Sequence, residues 1–586
     1  MDLAIAYEQR IWGVVAENIE QAIHHYEQAL EVYHPRAFPR LCRNVASALG
    51  ALFYARDNQG DLDRARAAFE TAHRAVEALR GEASREGAKR ALSLENAALY
   101  ARLVACCLRT DDVSGAFTYA TAGKGRAFVD LLASARFDLN AGAVADPALS
   151  GDLVKVRALQ RQADALRMRL TGEDTRLTPT LTTLRGEREP RDDVGVTDGG
   201  QRAVGDREAL YEELLRLQAE EDALWEDLVY KYPALTATQQ APALSPDEAV
   251  RLAADTGATL VEYYQHYEGW CAFIVTPQEV HHISLPRLDD ALLGRMGGWL
   301  ARVGDPQAHN ALGTRALETW HEAVLTPVRP QLRADWPTVL APFGLLHLLP
   351  LGAARDPVSG RYAAEEYVLA LAPSLSALRV AWEQARRQEV LETAETPGVW
   401  ETLQTPEAFL HPDLAAGLDL ASAEAFVNEL RLLDVAYPGA PDSPYYLPHV
   451  LAEATAVARC FPRATVLVGP DATPEALLAR APGQNVLHLG CHALFDPDRP
   501  EQSGLMLAGG WLTVRRVVAE LRLAHTRLVT LGACETGRAT VGGGDEQVGL
   551  TQAIMTAGAR VVVSSLWPVD DAATRALLVS FYQRLA

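Results

Sequence analysis

Two residues able to form a nucleophile–base pair each follow a short apolar run bounded by small residues. The runs are Val486-Leu487-His488-Leu489-Gly490-Cys491-His492 and Leu528-Val529-Thr530-Leu531-Gly532-Ala533-Cys534. An imidazole beside a thiol lowers the thiol pKa, so that a thiolate can attack a carbonyl and the imidazolium can then protonate the leaving group. Short apolar runs closed by glycine read as buried parallel strands, and open α/β sheets gather their chemistry outside the strands' carboxyl ends. Adjacent strands would therefore bring His492 and Cys534 to one crevice.

Cys534 lies 42 positions after His492, room enough for a crossover returning the chain parallel to its starting strand. Within the crossover, Ser503 to Leu512 reads as a hairpin turning at Gly509-Gly510, and Thr513 predicts the cap of a helix through about Leu523. His488, Cys491, His492 and Cys534 are all residue types that bind zinc. In a strand, however, His488 and His492 would stand about 13 Å apart, so no metal is expected and His488 and Cys491 read as structural.

Ordered blocks carry a family resemblance. HLGCHALFDPDRPEQSGLML, LVTLGACETG, GDEQVGLTQAIMTAGARVVVSSLWPVDDAAT and FYQRL resemble a CHAT domain, a caspase- and separase-like cysteine peptidase. TLVEYYQHYEGWCAFIVT, VLAPFGLLHLLPLGAA and ALAPSLSALRVA extend the likeness over residues 243 to 586. Caspases also place their His about 50 residues before the catalytic Cys. The resemblance implies an α/β caspase-like (caspase-hemoglobinase) domain with a mostly parallel central sheet, His492 and Cys534 as the dyad, and an oxyanion hole from the backbone N–H groups of Ala493 and Cys534. Ala493 stands where the family usually has glycine; alanine still supplies the N–H, but its Cβ would crowd a substrate or oppose a positive φ.

Separase-like relatives use an acidic residue to take a basic P1 side chain. Glu535, Asp545, Glu546, Asp570 and Asp571, with Trp567, are the specificity candidates by their positions near the dyad or after the apolar run Arg560 to Val563. Asp570 or Asp571 would equally well cap the helix expected from Ala572 to Leu585. Gly542-Gly543-Gly544 has no Lys-Ser/Thr after it, which argues against a P-loop; it reads as a mobile loop beside the cleft.

At 586 residues and 48% hydrophobic, the chain can form several cores. Its 55 basic and 76 acidic residues leave a net charge of -21, which argues against general binding to nucleic acid or anionic membranes. Seven cysteines without a framework pattern point to a reducing, cytoplasmic setting. No signal peptide or uncharged 18-residue span is apparent. No cofactor is expected.

Residues 1–135 read as an α-helical, TPR-like solenoid. Ala22, Tyr26 and Ala29 repeat as Ala65, Phe69 and Ala72, then more weakly as Ala116, Ala120 and Gly123. Their separations of 43 and 51 residues exceed the usual 34 or so, as in degenerate repeats. Residues 136–242 predict a helical hairpin, its helices at about Leu149 to Leu170 and Asp206 to Tyr232, around a mobile loop at 171–205. Residues 243–387 form the N-terminal, pseudo-caspase-like part of the CHAT-like region, 388–447 an insert or linker, and 448–586 the catalytic part. By resemblance a further helix and strand are expected beyond Ala586. These features predict an intracellular cysteine endopeptidase acting on a protein substrate, regulated by a protein or peptide bound to the repeats. The alternative is a catalytically silent TPR–CHAT scaffold.

Overall fold

The computed structural model describes all residues except 11, 84–85, 134–146, 173–197, 233–240, 301–311, 395–428, 442, 444–445, 534–535, 568 and 586. The nucleophile candidate Cys534, with Glu535, lies outside the described residues, as do most of the expected loop at 171–205 and much of the insert at 388–447. The chain divides into two compact units. Unit 1 comprises Met1–Ala135, Thr236–Trp382 and Val541–Gln547; unit 2 comprises Arg136–Leu235, Glu383–Thr540 and Val548–Ala586.

Unit 1 opens with helices, among them Val15–Leu30, Pro39–Arg56, Asp61–Glu82, Glu86–Arg109 and Val113–Ala122. The repeated small and aromatic positions face inward: Ala22, Tyr26, Ala65, Phe69, Ala72, Ala116 and Ala120 are buried. Small residues set the helix spacing, since a Cβ on Gly50 would stand 2.6 Å from the Phe69 ring. Within Glu86–Arg109, residues Ala88–Arg109 are long and apolar enough to cross a membrane by length and composition. Here that helix places Leu99, Leu103, Val104, Cys106 and Cys107 in the unit's cores.

The sheet of unit 1 is mixed, in the order β3-β2-β1-β4-β5. Its strands are β1 Thr259–His266, β2 Gly269–Val275, β3 Val280–Ser284, β4 Thr338–Ala341 and β5 Leu369–Leu371. β1 pairs antiparallel with β2 and parallel with β4. Glu262, in the middle of β1, is fully buried and ion-paired with the equally buried Lys124.

Unit 2 holds an all-parallel sheet in the order β15-β12-β8-β6-β7. These strands are β6 Arg431–Ala436, β7 Arg463–Val468, β8 Val486–Gly490, β12 Leu528–Gly532 and β15 Val561–Val563. Side chains alternate between faces along each strand, and the register sorts them cleanly. On one face Leu433, Val435, Leu487, Leu489, Val529 and Leu531 join a wholly apolar core. On the other face lie three cross-strand rows: Leu432/Val486/Leu528, Asp434/His488/Thr530 and Ala436/Gly490/Gly532.

The expected hairpin is present as β10 Gly504–Leu507 and β11 Gly510–Thr513, with β9 His492–Leu494 completing a three-stranded sheet. Its turn falls at Ala508-Gly509 rather than Gly509-Gly510, because Leu507 pairs with Gly510 and Gly509 supplies the positive φ of 77°. Thr513 caps the next helix through its side chain, but that helix ends at Glu520. Short strands β13 Ala539–Val541 and β14 Gln547–Gly549 follow β12. The connector helices Pro147–Gly172 and Asp198–Lys231 pack antiparallel: Leu149, Leu153 and Val156 meet Leu228, while Ala163 meets Leu214 and Leu217.

Candidate active site

β8 and β12 run in register to their ends, where Gly490 pairs with Gly532. His492 lies two residues beyond the first glycine and Cys534 two beyond the second. His492 opens β9 opposite Met506 and is buried. The next residue, Ala493, pairs with Leu505, and both belong to the main core of unit 2. Ala493 is not among the residues with positive φ, so its methyl is absorbed by the core without backbone strain.

The described residues on either side of positions 534 and 535 are held by hydrogen bonds. The Ala533 carbonyl accepts from the Ser565 hydroxyl at 2.6 Å and from the Thr536 hydroxyl at 3.2 Å. The Gly537 N–H donates to the Ser565 carbonyl at 2.7 Å. Gly537 is required there, since a Cβ would stand 2.8 Å from Ser564 Oγ. Ser565, two residues beyond β15, thus ties together Ala533 and Gly537, a role its sequence alone does not reveal.

Behind the strand ends lies a polar layer within the sheet. His488 shares Nδ1 with Thr530 Oγ1 at 2.7 Å and Nε2 with Glu453 Oε1 at 3.1 Å. Thr530 Oγ1 meets the Tyr582 hydroxyl at 2.5 Å. Glu453 comes from the helix Val450–Ala458 and Tyr582 from the helix Asp571–Leu585. His488 therefore is structural, as its strand position predicts. Burial opposes its charge, but Asp434 and Glu453 outweigh that and hold its pKa above the usual value.

Asp434 completes the row, and neither of its oxygens has a hydrogen-bond partner among the described residues. Burial pushes its pKa up to about 6. A carboxyl raised in this way binds more protons folded than unfolded, so its ionisation weakens unit 2 as pH rises from about 4 to about 6. Asp434→Asn is expected to remove this loss. Relative to the parent, the variant should gain nothing near pH 4 and on the order of 3 kcal/mol at pH 7, read from denaturant unfolding across that range; a constant difference would refute the assignment.

The acidic specificity candidates have internal tasks. Asp545 belongs to unit 1, where its carboxylate accepts from the Gly344 N–H at 2.7 Å and from His347 Nε2 at 2.8 Å, with Lys124 Nζ at 3.9 Å. Glu546 accepts from the N–H groups of Ala127 and Phe128 at 2.7 and 3.3 Å. Burial pushes its pKa up to about 7. Both residues are buried and already occupied, which corrects their reading as P1 selectors.

The glycine run beside them is also packed rather than loose. A Cβ on Gly543 would stand 2.2 Å from Leu94 Cδ1, and Gly544 has a φ of 69° with Ser93 O close by. Asp570 accepts from the Ala573 N–H at 2.9 Å as a helix cap. Asp571 accepts from the His449 N–H, also at 2.9 Å. Both carboxylates thus serve backbone donors, and Trp567 is half-buried beside them in sequence.

Among the described residues, His321, Asp356 and Glu366 each offer a metal-ligating atom within 4.8 Å of the others. Arg329 already pairs with both carboxylates, at 2.9 and 3.6 Å, and supplies the positive charge itself.

A parallel α/β sheet whose neighbouring strand ends lead to a histidine and a cysteine is consistent with the caspase-like class of folds. Residues 314–586 match the family model described as CHAT domain. No curated protein matches the chain. The C-terminal part of the chain, residues 314–586, is thus similar to a CHAT domain.

Proposed function

We propose that the protein is a cysteine endopeptidase, with Cys534 as nucleophile and His492 as base and then acid. The observation that supports this reading is the Gly490–Gly532 register, with His492 and Cys534 each two positions further along the sequence, within the segment that matches a CHAT domain. In the reaction, His492 takes the thiol proton and the Cys534 thiolate attacks the peptide carbonyl. The amine leaves with the proton from imidazolium, and water then cleaves the acyl-enzyme, again through His492. The backbone N–H groups of Ala493 and Cys534 are assigned to the oxyanion. Thiol–imidazole acyl transfer of this kind needs no cofactor.

The inward-facing small and aromatic positions of residues 1–135 support a TPR-like array that binds a regulatory protein or peptide. Low cysteine use and acidic charge support a cytoplasmic enzyme acting on protein. The test is a fluorogenic peptide library together with an arginyl chloromethylketone, run with and without candidate partners. Cleavage is expected, with the label on the peptide containing Cys534. Absence of both under every condition would establish the scaffold reading instead.

A further inference from the structure

We propose that Glu453, held by His488, is a positioning residue that fixes the ends of β8 and β12 and thereby aligns the proposed dyad. This rests on the peptidase reading above. Glu453 is buried, and its Oε1 lies 3.0 Å from where a Cβ on Gly532 would sit and 3.6 Å from that on Gly490. One carboxylate thus packs on the last residue of both strands. Neither glycine can be enlarged freely: Leu578 Cδ1 crowds the first position at 3.3 Å and Val450 Cγ1 the second at 3.2 Å.

The carboxylate is itself fixed from behind. His488 bonds it on one side and reaches Thr530 and then Tyr582 on the other, so β8, β12 and two covering helices share one hydrogen-bonded chain. The ionisable groups facing it are Asp434 from β6, His488 from β8, Tyr582 from the helix Asp571–Leu585 and, near Tyr582, Cys460. A merely solubilising glutamate would not be buried beneath two glycines. A purely structural ion pair would not need to contact both strand ends just before they deliver His492 and Cys534. Glu453 lies 39 residues before His492 and on another element, outside the sequence blocks that surround the proposed dyad.

The test uses the full chain and two independent readouts: steady-state kinetics on a cleaved peptide, and the pH profile of Cys534 alkylation by iodoacetamide, read by mass spectrometry. Glu453→Ala is expected to lower kcat at least 30-fold with KM within twofold, and to move Cys534 reactivity toward that of a free thiol, whose pKa is about 8.5. Glu453→Gln preserves size and an acceptor for His488, and is expected to restore kcat to within about threefold of the parent. Tyr582→Phe removes only the outer hydroxyl and is expected to lower kcat three- to tenfold with the fold intact.

Unchanged kcat and alkylation profile in folded Glu453→Ala overturns the proposal. Should that variant not fold, an unchanged Tyr582→Phe does so. If the parent cleaves no peptide, the peptidase reading fails by itself, while the alkylation profiles still decide whether Glu453 sets the environment of Cys534.

Discussion

Cys534→Ala is expected to reduce peptide cleavage by at least about 10³-fold, the scale seen when a nucleophile is removed from a nucleophile–base pair. In the proposed mechanism it is the thiol that forms the acyl bond. His492→Ala should fall to a similar level, because a thiol without its imidazole is mostly protonated at neutral pH and has no partner to protonate the leaving amine. The double variant should be scarcely worse than either single one, as groups that act as a unit are strongly non-additive. Persistent cleavage in Cys534→Ala would remove the assigned nucleophile; near-additive losses would show that the two side chains act independently.

The second large effect concerns stability rather than chemistry. Lys124→Met should destabilise unit 1 by about 3–5 kcal/mol, the usual cost of removing one member of a buried pair. Lys124 and Glu262 are both fully buried, and the ammonium also reaches the Ala341 carbonyl at 2.9 Å and the Tyr263 carbonyl at 3.3 Å. Burial raises the Glu262 pKa, and Lys124 acts against that rise; without the lysine, a carboxylate is left in an apolar sheet. Adding Glu262→Gln should recover much of the loss, since Gln still accepts from the Leu375 N–H that Glu262 holds at 2.8 Å. Equal instability of the single and double variants, measured by denaturant unfolding, would show that the charge is not the cause.

The parallel strands were legible in the sequence because burial on both faces produces mostly apolar runs, as in Val486 to Gly490 and Leu528 to Gly532, each with a single polar residue, His488 or Thr530. The Thr513 cap and the 503–512 hairpin were legible because their signals are local. The connector helices showed themselves by the spacing of Leu153, Val156, Ala163, Leu214 and Leu217, all buried in the fold. What escaped depends on register or distant partners. Asp434 is conspicuous within an apolar run, yet only the alignment of β6, β8 and β12 places it beside His488 and Thr530.

Lys124 and Glu262 are 138 residues apart, and nothing in either segment names the other. The acidic residues after Cys534 mislead for a related reason. Proximity in sequence to Cys534 suggested a substrate pocket, whereas the chain carries Asp545 and Glu546 into unit 1, where buried donors take both carboxylates. Ser565 shows the opposite case: an ordinary residue beyond a strand end becomes a brace because its hydroxyl reaches the Ala533 carbonyl and its own carbonyl takes the Gly537 N–H.

The excursion of residues 541–547 into unit 1 bears on how the polypeptide can be dissected. A fragment starting at Glu383 would retain this heptapeptide but none of Ala127, Phe128, Gly344 or His347, leaving two acidic side chains without the donors that receive them in the intact chain. The half bearing His492 and Cys534 is therefore not a free-standing cassette, and inactivity of such a fragment would say nothing about the chemistry of the whole.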